Sequence, residues 1–304
     1  MSMSPLAARY LRFQPSGPKD SRGAALLERL LARADAVAEA ADWRADAFRV
    51  IAPLTPMPAV AAAAYCAAAG PRAPGWVFLA TPVHYLAELS NVRFAADGIL
   101  TLDAAQAEAL ALDFNRVWRD SGVDLWASSS RLFCSFDVAV EAATSDPELA
   151  RGRHLENFLP TGKGAVRLRR LMSEIEMWLF EHPVNRKRLE RAQLAVSALW
   201  LWGGGAALSS LPEVPGAAAG GDVFFDAFPA VADRCADVMV VDTAPNTPEW
   251  ADMQARWLAP TLVELRRGRI EQLQLSAGER CYTVGAHWRR RFWRPAKPWW
   301  EYFE

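Results

Sequence analysis

The spacing of apolar residues divides the chain into helical and extended stretches. Leu26, Leu27, Leu30 and Leu31, running on to Ala34 and Val37, recur at three- and four-residue steps and predict an amphipathic helix over about residues 23–41. Residues 48–54 form a short apolar run with turn formers after it and read as a buried strand. Pro58 opens an alanine-rich helix that reaches Ala69, where Gly70-Pro71 stops it. Residues 76–80 are a second apolar strand, with 91–94 as its continuation after a crossing segment.

Asp97-Gly98 marks a turn, and Thr101 is placed to N-cap the next helix, whose Ala107, Leu110, Ala111, Phe114, Val117 and Trp118 repeat at helical spacing. Residues 123–127 and 131–136 read as two strands, and 144–165 as a connecting loop. A strong helix follows over 166–181, with Leu168, Leu171, Met172, Ile175, Trp178 and Leu179 on one stripe and Pro183 at its end. The continuous apolar strand 196–202 stops at Gly203-Gly204-Gly205, and 212–221 is a Gly/Ala/Pro-rich loop. Residues 222–226 and 238–242 are further strands around a helix at about 228–236. A helix over roughly 249–266 then leads to Gly268, and 270–275 with 281–284 make a final hairpin. Strands alternating with helices predict an α/β fold with a mostly parallel sheet covered by helices on both faces.

Composition narrows the function classes. The 304 residues carry 34 Lys plus Arg against 35 Asp plus Glu, a net charge of -1, which argues against broad attraction to nucleic acid or anionic lipid while leaving room for a local basic patch. Cys66, Cys134, Cys235 and Cys281 form no CxxC, so reduced thiols are expected. The amino-terminal stretch has no apolar core of a signal peptide, and the longest apolar run, 59–69, is too short to span a bilayer. A cytoplasmic protein without membrane association is expected.

One segment is recognisable. Glu181-His182-Pro183-Val184-Asn185-Arg186-Lys187-Arg188, followed by Ala198-Leu199-Trp200-Leu201-Trp202-Gly203-Gly204-Gly205, resembles the archaeal-type cofactor-independent phosphoglycerate mutases of the alkaline-phosphatase superfamily. Their matching stretch is a helix ending in His-Pro-Val-Asn-x-x-Arg, then a strand ending in Trp-x-Trp-Gly-x-Gly. Residues 91–115 are similar to the start of that family's inserted cap, and Ser130-Arg131-Leu132 resembles a cap strand. Within this relationship, 167–205 and Phe292-Trp293-Arg294 look most like the bacterial RpfE-type regulatory proteins. The resemblance implies an alkaline-phosphatase-like core from 1–76 and 161–304, a small cap-like α/β subdomain at 77–160, and a regulatory role.

The departures from the mutase pattern matter as much. Those enzymes hold two divalent metals with Asp and His and use a hydroxyl nucleophile. Here the first strand candidate, 9–14, is followed by no Asp-Gly. After 238–241 comes Asp242, but Trp250 stands where a histidine is wanted, and an indole does not ligate metal. His84, His154, His182 and His287 include no pair at ligand spacing. The expectation is a protein with no catalytic residues, metal or cofactor, acting by binding a protein partner or a small anion. The alternatives are a residual phosphatase or mutase with a diverged site, and a nucleic-acid-binding regulator.

The resemblance places a remnant ligand pocket between core and subdomain, drawn from Arg131, His182, Asn185, Arg188, Gly203, Gly205 and Asp242. The plainer reading of His182 is a cap on its own helix's carboxyl end, and of Asn185 a turn brace. Gly203-Gly204-Gly205 lacks GxGxxG spacing, so a close backbone crossing is favoured over a phosphate loop. Arg131, Arg186 and Arg188 suit an anion, or simply a solvated surface. No GxSxG nucleophile elbow occurs, Ser128-Ser129-Ser130 reads as a turn, and Glu174 and Glu176 point to different helix faces. The carboxyl-terminal run interleaves Trp288, Phe292, Trp293, Trp299 and Trp300 with Arg289, Arg290, Arg291 and Arg294. Docking of these aromatics on the body is favoured over single-strand binding or a protein contact.

Overall fold

A computed structural model describes residues 8–14, 24–39, 42–70, 75–88, 91–216, 218–228, 237–242, 254–277 and 280–302. The chain divides into a split unit, 1–57 with 212–304, and an intervening unit, 58–211.

The split unit is built on β1 (Ala8–Gln14), which runs parallel to β10 (Gln272–Ala277) on one side and to β9 (Val238–Asp242) on the other. The short β8 (Ala218–Gly220) extends the parallel set beyond β9. On the other edge β11 (Arg280–Gly285) and β2 (Ala36–Glu39) are antiparallel, giving the order β2-β11-β10-β1-β9-β8. Successive residues of a strand face opposite sides. Leu11 enters a core with α1 (Ala25–Ala32), α8 (Ala259–Arg266), Trp288 and Trp299. Arg12 points the other way, onto Trp43 of α2 (Trp43–Ile51), a helix that contacts β1 and β9. Phe48 of α2 packs there against Phe224 and Phe228.

Several predicted elements change type here. The helix expected over 23–41 stops at Ala32, and 36–39 becomes an exposed edge strand on β11. Val37 matches the helical spacing by coincidence, being 55% exposed. Of the run 48–54, residues 48–51 are the end of α2 and 52–54 lie beyond it, so no strand forms. Asp42 caps that helix by accepting the Ala45 N–H at 3.1 Å, and Phe48 and Ile51 are helical neighbours on its buried side. The strand expected at 222–226 lies instead at 218–220, and Phe225–Ala227 is a 3-10 turn. The helix expected at 228–236 falls, but for Phe228, outside the described residues, as do 249–253. From Gln254 the backbone makes one π turn, Gln254–Leu258, and runs into α8.

The intervening unit is antiparallel throughout. Its spine is β3 (Trp76–Ala87), flanked on one edge by β7 (Ala198–Ala206). The other edge is shared by β6 (Arg131–Phe136) and β4 (Val92–Ile99), and β5 (Val123–Ser128) pairs with β6. The expected parallel sheet therefore holds for four strands of the split unit and not here. Helix α3 (Val60–Ala69) packs on β3 and β7, α4 (Ala104–Val117) on β5, and α6 (Ala165–Phe180) on β7. Asp103, not Thr101, caps α4 through a reciprocal box with Gln106. Within 144–165 the chain forms α5 (Pro147–Ala150) and a 3-10 turn, Leu155–Phe158. The boundaries fall at 57/58 and 211/212 rather than at 76/77 and 160/161, because β7 is hydrogen-bonded to β3 along most of its length.

Among the described residues no helix is long and apolar enough to cross a membrane.

Candidate functional site

The recognisable His-Pro-Val-Asn-x-x-Arg segment is a corner between two helices. Pro183 ends α6 yet suits the first position of a new helix, α7 (Pro183–Glu190). His182, extended at φ -65° and ψ 138°, accepts the Val184 N–H on Nδ1 at 3.2 Å. It caps the helix that follows, which corrects the expectation that it caps the carboxyl end of α6. With Nδ1 accepting, the proton of the neutral ring sits on Nε2. Nε2 lies 3.4 Å from Asp113 Oδ2 on α4, out of line for a hydrogen bond, and the ring meets Trp178 edge-on at 4.6 Å. Burial lowers the His182 pKa below its ordinary value of 6.5, outweighing the opposing pull of the Asp113 carboxylate.

Because the folded-state pKa is depressed, the unfolded chain takes up the proton first. Stability from this corner is therefore fully present above about pH 6.5 and is lost as pH falls through the lowered value. Urea denaturation at about pH 7 and pH 5 should show this loss, and His182→Asn, which retains a capping side chain, should show less of it. Equal pH slopes in the two proteins would refute the assignment.

Asn185 and Arg188 are internal braces. The Asn185 amide donates to Leu179 O at 2.8 Å and Val196 O at 2.9 Å, and its Oδ1 accepts the Val196 N–H at 2.8 Å. Arg188 donates through Nε to Leu194 O at 2.8 Å and through Nη1 to Thr101 O and Gln106 Oε1. Both are buried. They tie α6, α7, the lead into β7 and the start of α4 into one joint.

The glycines serve backbone packing. Strand β7 runs through Gly203-Gly204-Gly205 to Ala206 rather than stopping before them. Between Trp202 and Gly205 it carries one residue more than β3 carries between Leu79 and Val77, a bulge that Gly203 accommodates at φ 66°. A Cβ on Gly204 would come within 2.1 Å of the Phe78 ring, and one on Gly205 within 2.3 Å of Ala59 Cβ. The close-crossing reading fits, and a phosphate loop does not.

The six pocket candidates in the intervening unit do not converge. Gly203 lies five residues along β7 from Ala198, itself two residues past Val196, the partner of Asn185, which is about 17 Å along the strand alone at roughly 3.3 Å per residue. Arg131 is exposed at the mouth of the β5–β6 hairpin, opposite Ser128. Asp242 belongs to the split unit, where it closes β9 in register with Gln14, and residues 243–250, Trp250 included, lie outside the described residues.

The structure instead brings together a charged cluster that the sequence reading missed. In the split unit Arg44 grips Asp222 with two nitrogens, Nη2 to Oδ2 at 2.8 Å and Nε to Oδ2 at 3.0 Å. Asp222 Oδ1 also accepts the Phe224 and Phe225 N–H groups at 3.0 and 3.2 Å. The guanidinium of Arg44 stands 4.6 Å from the Trp43 ring centroid, and that of Arg12 stands 5.0 Å from the same ring. Arg12 Nη1 donates to Ser276 Oγ at 2.8 Å. Arg12, Arg44 and Asp222 are 8%, 7% and 4% exposed. The available signal was an arginine two residues after Tyr10, on the same buried face of a central strand. Open parallel sheets bind ligands beyond the carboxyl ends of their strands, and Arg12 lies near that end of β1.

A phosphoryl-transfer metal pair does not fit these groups. A guanidinium cannot ligate a cation and repels one. Among the described residues no three His, Cys, Asp or Glu side chains are placed to hold a metal ion. Burial raises the thiols of Cys134 and Cys281, the latter to about 11, which keeps both protonated at neutral pH. Cys235 is outside the described residues.

No family model matches the chain. A probable 2,3-bisphosphoglycerate-independent phosphoglycerate mutase of Geobacter sulfurreducens is 39% identical over 61 residues, 20% of this chain and 15% of that protein. A 2,3-bisphosphoglycerate-independent phosphoglycerate mutase of Methanothrix thermoacetophila is 35% identical over 72 residues, 24% of this chain and 18% of its own. The matches thus span less than a fifth of these two relatives' length. A solved cofactor-independent phosphoglycerate mutase from Thermoplasma acidophilum aligns over 92% of this chain and 89% of its own, at 13% identity and a TM-score of 0.36. The chain is similar, over a short stretch of sequence, to cofactor-independent phosphoglycerate mutases.

Proposed function

We propose that the chain is a phosphoglycerate-mutase-like cytoplasmic protein that acts by binding rather than by phosphoryl transfer, and that it takes a small phosphorylated or carboxylated anion beyond the carboxyl end of β1. The observation that carries this reading is Arg12, a buried guanidinium seated between Ser276 and the Trp43 ring. Guanidinium geometry matches phosphate and carboxylate, and burial from water strengthens the attraction. The same positive charge opposes the two divalent cations that mutase chemistry needs there. Regulation, as the RpfE-type resemblance implies, would follow from a protein partner reading the bound state.

The test is a melting series of the full chain with 3-phosphoglycerate and with inorganic phosphate, beside a mutase assay. The expected result is a rise in melting temperature, worth about 2.7 kcal/mol at a hundredfold excess over Kd. Arg12→Met should remove the rise, and no turnover should appear with added manganese. Turnover that a chelator abolishes and manganese restores would make the protein a residual enzyme. Stabilisation that survives Arg12→Met, or no stabilisation by either anion, would overturn the site.

A further inference from the structure

The segment after β11 is pinned at both ends. Trp288 and Trp299, each 4% exposed, are buried in the core formed with α1 and α8. The chain between them is braced against the turn that follows α1. Arg291 pairs with Asp35 and reaches Arg33 O at 3.4 Å, and Arg294 Nη1 donates to Ala34 O at 3.0 Å. Arg33 Nη2 in turn donates to Phe292 O at 3.5 Å, and the Trp299 N–H donates to Glu28 Oε1 at 3.1 Å. Arg291 and Arg294 are therefore occupied in holding the loop.

What this braced loop presents to solvent is Phe292 and Trp293, 73% and 65% exposed, with ring centroids 5.7 Å apart. The two rings stand edge to face at 79°, and each would bury on the order of 150–250 Å² if covered, so holding both in water forgoes a large gain. Arg289 and Arg290 beside them are exposed and have no carboxylate partner among the described residues. No acidic residue occurs between His287 and Pro298.

Adjacent accessible rings flanked by unneutralised guanidinium groups match the chemistry of an unpaired polynucleotide, whose bases stack while its phosphates are neutralised. A duplex is a poor match, since the four-residue 3-10 turn Trp288–Arg291 offers no helix or ribbon to enter a groove. A membrane surface is a poor match too, because two rings on a loop lack the apolar face of an interfacial helix. We propose that residues 289–294 form a platform for single-stranded nucleic acid, with bases stacked on Phe292 and Trp293 and phosphates held by Arg289 and Arg290. Because the loop is already braced, little ordering remains to be done on binding.

The experiment is fluorescence anisotropy of labelled oligothymidylate and oligouridylate with the full chain, at about 50 mM and 200 mM salt. Binding that weakens with salt is expected. Phe292→Ala with Trp293→Ala should lower affinity roughly tenfold or more at an unchanged melting temperature. Arg289→Ser with Arg290→Ser should flatten the salt dependence by about 0.7 in log–log slope for each phosphate no longer neutralised. Arg12→Met should leave oligonucleotide binding intact, which separates this platform from the anion site. The proposal is overturned if neither oligonucleotide binds at the lower salt, or if the double ring variant binds as the parent does. Binding to phosphatidylserine vesicles without any to oligonucleotides would also overturn it, and would reassign the rings to a membrane surface.

Discussion

Replacing Asp222 with alanine is expected to destabilise the split unit by about 3–5 kcal/mol, read as a fall in the urea midpoint. The reason is what the mutation leaves behind. Arg44 is 7% exposed and donates to Asp222 through two nitrogens, so without the carboxylate a buried guanidinium loses its two-nitrogen grip. The Phe224 and Phe225 N–H groups lose their acceptor as well. Most single domains have only about 5–15 kcal/mol in hand, so the loss is a large share of the total. The pair itself need not be a large net gain, because withdrawing two charges from water is costly. Arg44→Met combined with Asp222→Leu should therefore recover most of what Asp222→Ala loses. A midpoint for Asp222→Ala within about 1 kcal/mol of the parent would mean that the Arg44–Asp222 pair is not the buried brace its geometry implies.

How much of this was legible depended on how far each element's partners lie in sequence. The hairpin of β5 and β6 was readable because its strands are local, alternate cleanly and meet at Ser129-Ser130. Helices α3, α4 and α6 were readable from long apolar stripes with strong stops, Gly70 and Pro183 among them. Short runs failed. In 48–54 the apolar residues satisfy both periods, and only the Asp42 cap and the Phe224 cluster make them helical. The parallel or antiparallel sense of β3 and β7 is set by a pairing more than a hundred residues apart, which local pattern does not encode. The same limit applied to the site. The His182–Arg188 motif was conspicuous by its residue types, yet its polar atoms are consumed by backbone groups contributed mostly by the lead into β7 and the start of α4. Arg12 and Arg44 were inconspicuous because an arginine in a sequence reads as surface. Only α2 lying over β1 buries them against Trp43.

Removing the two buried tryptophans of the carboxyl-terminal segment should have the largest effect of all. The expectation that all five aromatics dock is corrected by the structure. Trp288 and Trp299 are buried, and Trp300 packs partly buried on the same core, but Phe292 and Trp293 stand in solvent. A buried Trp→Ala change costs about 3–5 kcal/mol, because the transfer energy is lost and the cavity collapses only in part. Trp288 and Trp299 belong to one cluster with Leu27, Leu31, Leu258 and Leu262, so both losses fall on the same core. The double variant Trp288→Ala with Trp299→Ala, or deletion of 287–304, is thus expected to cost on the order of the unit's whole stability. Deletion also strips Tyr302, whose carbonyl accepts the Tyr282 hydroxyl at 2.7 Å. Thermal melts would show the split unit's transition lowered or absent. Phe292→Ala with Trp293→Ala, on the same loop, should shift stability by no more than about 0.5 kcal/mol, as surface changes do. That contrast separates the segment's two roles, since its tryptophan ends hold the fold and its middle faces outward. A deletion that leaves the melting temperature unchanged would show that the tail is not part of the core.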